Sequence, residues 1–155
     1  MSGPRTSFEY GRLGGTSGLD VLVADDDAPS RRLLEAVFGS CGCAVTLALD
    51  GTDAANLALS RPFDLICLDR HMPHLTGDEV AEHIRFVHGD GLRPFLVMCT
   101  SDPRSDDAMH PFDAALSKPI TLQGVVDVIA EALQFRLAWR SEPAGPAPRR
   151  QSAVA

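Results

Sequence analysis

Short unbroken apolar runs alternate along this chain with stretches in which apolar residues recur every three or four positions. The runs are Val21 to Ala24, Ala44 to Ala48, Leu65 to Leu68, Phe95 to Cys99 and Ala114 to Leu116, and each reads as a β-strand. Strands without polar alternation are buried on both faces, the pattern of a parallel sheet covered by helices on each side. The stretches between them carry helix periodicity and start signals. Asp27 is placed to cap a helix running from about Pro29 to Ser40, with Leu33, Leu34, Val37 and Phe38 on its inner face, and Thr52 to cap a short one ending at Leu59. Asp78 to Val87 sets Val80, Ile84 and Val87 on one side. Thr121 opens a long final helix with an apolar stripe of Leu122, Val125, Val126, Ile129, Leu133 and Leu137. Five strands alternating with five helices predict one α/β domain, a doubly wound five-stranded parallel sheet.

What ends the strands is chemically informative. Val21 to Ala24 runs into Asp25, Asp26 and Asp27, Leu65 to Leu68 into Asp69, Phe95 to Cys99 into Thr100, and Ala114 to Ser117 into Lys118. The carboxyl ends of parallel strands share one edge of the sheet, where ligands of such folds bind. That edge therefore gathers carboxylates, a hydroxyl and an ammonium. One acid after one strand is as well explained as a cap for the next helix, but four strands ending in polar chemistry are not. The chain contains 13 arginines and one lysine, and the lysine is Lys118, a compact ammonium suited to a phosphate oxygen. Three close carboxylates repel one another when empty and form a hard-oxygen cation site when filled, so an empty cluster is expected to destabilise the domain.

In these motifs the sequence resembles the receiver domain of two-component response regulators. The matching stretches are Val21 to Asp27, Asp64 to Pro73 with Gly77, Val97 to Ser101, and Leu116 to Pro119. The resemblance implies a flavodoxin-like (βα)5 fold with strand order 2-1-3-4-5 and phosphorylation of Asp69. It implies Mg²⁺ held by Asp26, Asp69 and the backbone carbonyl of His71, with Asp25 acting through water. It gives Thr100 the role of phosphate-sensing hydroxyl and Lys118 that of phosphate-binding cation. A histidine kinase or histidine phosphotransfer protein would be the donor and a downstream protein the target, the domain catalysing nothing but its own phosphorylation and dephosphorylation. His71, two residues past Asp69, and Asp102, two past Thr100, are placed to influence dephosphorylation; His74, His83, His88 and His110 read as surface residues.

Three departures bear on output. Family members usually carry Tyr or Phe three residues before this lysine, where this chain has Ala115. The Thr100 to Lys118 segment is shorter than usual, with Pro103 and Pro111 inside it, so the fourth helix is expected to be stunted or absent. Position 70, Trp in some relatives, is Arg. A Mg²⁺-dependent aspartyl-phosphate phosphohydrolase is the rival reading; it would want a second Asp two residues after Asp69, where His71 stands. A phosphorylation-independent adaptor of the same fold would be favoured by loss of an acid, the Thr or the Lys, and all are present.

Composition narrows the partners further. A net charge of −7, with the surplus of acid between residues 20 and 140, disfavours a nucleic-acid backbone and suits a cation. No apolar run reaches bilayer length and the N-terminus lacks a signal-peptide core, which predicts no membrane partner and a cytoplasmic location. Cys41 and Cys43 are too close to bridge comfortably, and Cys67 and Cys99 lie inside apolar runs, so all four are expected as free thiols. Residues 1–18, rich in Gly, and 141–155, rich in Pro, Ala and Arg, are expected as disordered tails around a domain spanning 19–140.

Overall fold

The computed structural model describes residues 18–102 and 109–141. The expected tails, 1–18 and 141–155, lie outside the described residues but for their innermost positions. The elements are β1 (Asp20–Ala24), α1 (Ala28–Ser40), β2 (Ala44–Ala48), α2 (Gly51–Ser60), β3 (Leu65–Asp69), α3 (Gly77–His88), β4 (Phe95–Thr100), β5 (Ala114–Ser117) and α4 (Leu122–Ser141). All five strands pair in parallel, in the order β2-β1-β3-β4-β5. Each expected strand is present, and four of the five extend by one residue into polar positions. β3 and β4 are buried along their whole length, as their uninterrupted apolar sequences require.

Alternate residues of each strand feed two cores. Val21, Val23, Leu65, Cys67, Phe95, Val97 and Cys99 pack with Leu34 and Phe38 of α1 and with Val125, Val128, Ile129 and Ala132 of α4. On the other face Leu22, Ala24, Ile66, Leu68, Leu96 and Met98 meet Ala54, Ala55 and Ala58 of α2 and Val80, Ala81 and Ile84 of α3. The cysteines are free thiols. A hydrogen bond with Cys99, then burial, pushes the Cys67 thiol well above its ordinary range.

Two expectations are corrected. α2 is capped by Asp50, whose side chain accepts from the Asp53 N–H at 2.8 Å while the Asp53 carboxylate accepts from the Leu49 N–H at 3.1 Å; Thr52 lies inside the helix, because this reciprocal cap satisfies more orphan N–H groups. The stripe on α4 is rotated. Leu122 and Leu137 are 58% and 60% exposed and Val126 is exposed too, whereas Val128 and Ala132 join Val125 and Ile129 in the core; an alanine contributes little to an apolar pattern yet fits closest to the sheet. Leu33 and Val87 likewise point outward from α1 and α3. Four helices are found among the described residues, in keeping with the expectation of a stunted or absent fourth helix between β4 and β5. No described residue between β4 and β5 is helical; Pro103 and its neighbours to 108 lie outside them.

The short connection into β5 is fastened by charge. The Asp113 carboxylate accepts from both Arg93 terminal nitrogens at 2.7 and 2.8 Å, from the Leu96 N–H at 2.8 Å and from Arg85 at 3.3 Å. Burial alone would raise the Asp113 pKa, but the Arg93 and Leu96 hydrogen bonds and the two guanidinium charges outweigh it and hold it below the usual carboxylate range. A depressed folded pKa adds stability that is present above the unfolded value of about 4 and is lost as pH falls through the folded one. Asp113→Ala leaves the Leu96 N–H without its acceptor and the Arg85 and Arg93 guanidiniums without their carboxylate, and is expected to cost about 2–4 kcal/mol at pH 7. In urea titrations this deficit should be constant above about pH 5 and shrink in more acid buffer; a deficit independent of pH would contradict the assignment.

Candidate functional site

The carboxyl ends of β1, β3, β4 and β5 bring Asp25, Asp26, Asp69, Thr100 and Lys118 to one edge, as their strand-end positions predict. One carboxylate oxygen from each of Asp25, Asp26 and Asp69 lies within 4.8 Å of the others. Asp25 is wholly buried, Asp69 nearly so, and Asp26 faces solvent.

Asp25 is fixed from two sides. Its Oδ1 accepts from the Asp27 N–H at 2.9 Å and its Oδ2 from Lys118 Nζ at 3.2 Å. The turn that carries it is held by two further groups. Asp27 caps α1 by accepting from the Ser30 N–H and hydroxyl, which, the hydroxyl foremost, lower its pKa, and Arg31 donates to the Asp25 backbone carbonyl at 2.7 Å. Nothing in the sequence marks Arg31 for this contact, since a charged residue in the first turn of a helix reads as an exposed one.

Lys118 Nζ also lies 3.7 Å from Asp69 Oδ2, so one ammonium stands between two carboxylates. The backbone beneath it is anchored by the Lys118 N–H, which donates to the Thr100 carbonyl at 2.8 Å. Burial alone would lower the Lys118 pKa; the hydrogen bond to Asp25 and the charges of Asp25 and Asp69 raise it instead. For Asp69 the balance runs the other way. Burial first, then the Asp25 charge, push its pKa up to about 6 against the attraction of Lys118 and the His71 N–H. Lys118 thus offsets part of the repulsion within the cluster. Thr100 is buried, and its hydroxyl oxygen accepts from the Asp102 N–H at 3.1 Å. His71 is exposed, and its N–H reaches Asp69 Oδ1 at 3.5 Å. Arg70 pairs with Asp78 at 3.2 Å.

The loop from 70 to 76 closes against this edge because two glycines let backbone approach backbone. A Cβ on Gly77 would overlap the Asp69 carbonyl, and one on Gly51 the Leu75 carbonyl. Thr76 caps α3 by accepting from the Glu79 N–H at 3.2 Å, and the Gly77 N–H donates to the Arg70 carbonyl at 3.1 Å.

The family model described as the response regulator receiver domain matches residues 21–130. The chain belongs to that family. It is therefore a receiver domain of two-component signalling. It is 38% identical over 107 residues to Response regulator MprA of Mycobacterium sp. (strain KMS), covering 66% of this chain and 45% of that protein. It is 36% identical over 91 residues to Regulator of RpoS of Escherichia coli (strain K12), covering 59% and 26%. The receiver thus spans less than half the length of these relatives. Its fold is that of the receiver domain of sensor histidine kinase PA1611 from Pseudomonas aeruginosa PAO1, a structure with magnesium in the active-site cleft, at a TM-score of 0.69, 24% identity, and coverage of 76% and 99%. It is likewise that of a chain in the co-crystal structure of the Saccharomyces cerevisiae phosphotransfer protein Ypd1 with the receiver domain of Ssk1, at a TM-score of 0.70, 22% identity, and coverage of 78% and 92%.

Gly77 gives a test of how this receiver positions its acidic edge. Gly77→Ala forces side chain into backbone and is expected to cost about 1–3 kcal/mol while shifting the NMR signals of Asp69 and Arg70. Gly39→Ala, where a Cβ meets nothing within 4 Å, should instead stabilise α1 by up to about 1 kcal/mol. Equal effects of the two changes in denaturant melts would show that the close approach at Gly77 is not what holds the loop.

Proposed function

We propose that this receiver accepts one phosphoryl group on Asp69, with Mg²⁺ as its cofactor, from a histidine kinase or histidine phosphotransfer protein, and passes the signal to a downstream protein. The observation that carries this reading is Lys118 standing 3.2 Å from Asp25 and 3.7 Å from Asp69 at the mouth of a carboxylate cluster. Transfer to a carboxylate needs the acceptor ionised, a positive partner for the moving charge and relief of repulsion among nearby oxygens. With a pKa of about 6, Asp69 is largely ionised at neutral pH. Its oxygen attacks phosphorus, the bond from phosphorus to the donor imidazole nitrogen breaks, and the electron pair leaves with that nitrogen, which takes a proton. Lys118 then has a phosphoryl oxygen to hold in place of a carboxylate. Thr100, buried beside the same edge, offers a hydroxyl that can turn its proton from the Asp102 carbonyl, 3.4 Å away, to a phosphoryl oxygen.

The donor set fits a hard cation. Oxygen from Asp25, Asp26 and Asp69, together with the His71 carbonyl that the resemblance implies, suits Mg²⁺ with waters completing its shell. When bound, the ion would neutralise phosphoryl oxygens. The domain acts on its own carboxylate and has no second Asp at position 71 to serve as the acid of a turnover hydrolase. Among the described residues no helix is long and apolar enough to cross a membrane. We place the receiver in the cytoplasm, as a domain over 19–140 with flanking tails, on the sequence expectations alone.

Intact-mass measurement after incubation with acetyl phosphate and Mg²⁺ tests the reading. The expected product carries one phosphoryl group, labile to hydroxylamine, and is absent for Asp69→Asn and in excess EDTA. An unmodified wild type, or an Asp69→Asn variant modified equally, would overturn it.

A further inference from the structure

α3 is tied to the acidic edge at both of its ends. At its start, Gly77 is packed on the Asp69 carbonyl and hydrogen-bonded to Arg70, and Asp78 pairs with Arg70. At its other end, Arg85 donates to the Pro111 carbonyl and reaches Asp113 at 3.3 Å, while Glu82, 3.7 Å from His110, stays largely exposed and open to a partner. Pro111 and Asp113 lead into β5, a strand of four residues that ends immediately before Lys118. Phe112, between them, is buried in the same core as Val80, Ala81 and Ile84. Asp69 is thus joined to the N-terminus of α3, and Lys118, through β5, to its C-terminal half. β5 itself has little to relay outward: Ala115 has no ring to move, and no described residue between β4 and β5 is helical.

The outward face of α3 is set up for a partner. Glu79, Glu82, His83 and Phe86, at helical spacings of three and four, are all exposed. Phe86, at 86%, is the most exposed large apolar side chain among the described residues. Two carboxylates about one turn apart, followed one turn later by a solvated aromatic ring, complement a helix that presents cations at the same spacing beside an apolar socket. A second copy of this chain fits poorly, because a symmetric pairing of the face doubles its carboxylates to four and brings no Lys or Arg to meet them.

Resting on the phosphoacceptor reading above, we propose that α3 carries the state of Asp69 outward and that its face of Glu79, Glu82 and Phe86 docks a basic amphipathic helix of the downstream protein. The test uses the full chain, isotopically labelled for NMR, with phosphorylation of Asp69 verified by mass in the same sample. Phosphorylation should move the amide signals of residues 76–88 and 109–113 more than those of 122–133. A synthetic Lys/Leu amphipathic helical peptide should then move Glu79, Glu82 and Phe86, an acidic Glu/Leu peptide should not, and Phe86→Ala, an exposed change that spares the core, should weaken the basic peptide about tenfold. Asp69 phosphorylated with 76–88 unmoved, the peptide settling instead on Asp25 and Asp26 or on α4, or an unchanged affinity in Phe86→Ala would each overturn the proposal while leaving the phosphoacceptor reading intact. A chain that takes no phosphoryl group would remove both.

Discussion

Three carboxylates within 4.8 Å of one another are a liability that the rest of this fold is arranged around. At an effective dielectric of about 20, a pair of like charges at that separation repels by about 3 kcal/mol, and burial of Asp25 and Asp69 removes the water that would otherwise screen them. The counterweight is a single ammonium. Lys118 reaches Asp25 and Asp69 together, so the last strand is drawn to the first and third at the edge where repulsion would push them apart. The sheet order β2-β1-β3-β4-β5 makes that reach a long one, across β3 and β4. Its backbone is registered by Lys118 donating to Thr100, and its far end by Asp113 clamped between Arg93 and Arg85. Compensation by one ammonium is partial and leaves the cluster with negative charge that a cation would satisfy.

The strands and their terminal residues were readable in advance because burial on both faces leaves uninterrupted apolar runs, and the polar residue that ends each run marks where the edge begins. Asp25, Asp26, Asp69, Thr100 and Lys118 fall together for that reason. Charged side chains that act across the fold leave no such mark. Arg31, Arg85 and Arg93 carry no periodicity that separates them from solvated arginines, and their roles depend on the Asp25 carbonyl and Asp113 lying far away in sequence. Asp113 had a signal that could have been used: it stands immediately before an apolar run, as Asp20 and Asp64 do at the same edge of the sheet. The rotation of α4 was hidden for a different reason, since Ala132 and Val128 fit the close approach to the sheet better than the larger Leu122 and Leu137 that dominate a hydrophobic pattern.

Membership of the receiver family accounts for the fold and the acidic edge, while the departures of this chain decide how that edge can be read. Where the family usually carries an aromatic on the fifth strand there is Ala115, Arg85 of α3 holds Pro111 and Asp113 ahead of that strand, and no described residue between β4 and β5 is helical. Transmission between sites needs an element with two arrangements whose balance both sites can bias. The packing of Gly77 on Asp69 and the pairing of Arg70 with Asp78 join α3 directly to the acidic edge.

Because burial, Asp25 and Lys118 together set the charge of Asp69, the most direct measurement is the titration of the Asp69 carboxyl carbon by NMR in the metal-free protein. The expected midpoint is about 6. It should fall in Asp25→Asn, which removes a repelling charge, and rise in Lys118→Met, which removes an attracting one. A midpoint near the ordinary carboxylate value of about 4, or one that neither substitution moves, would contradict the charge balance on which the site is built.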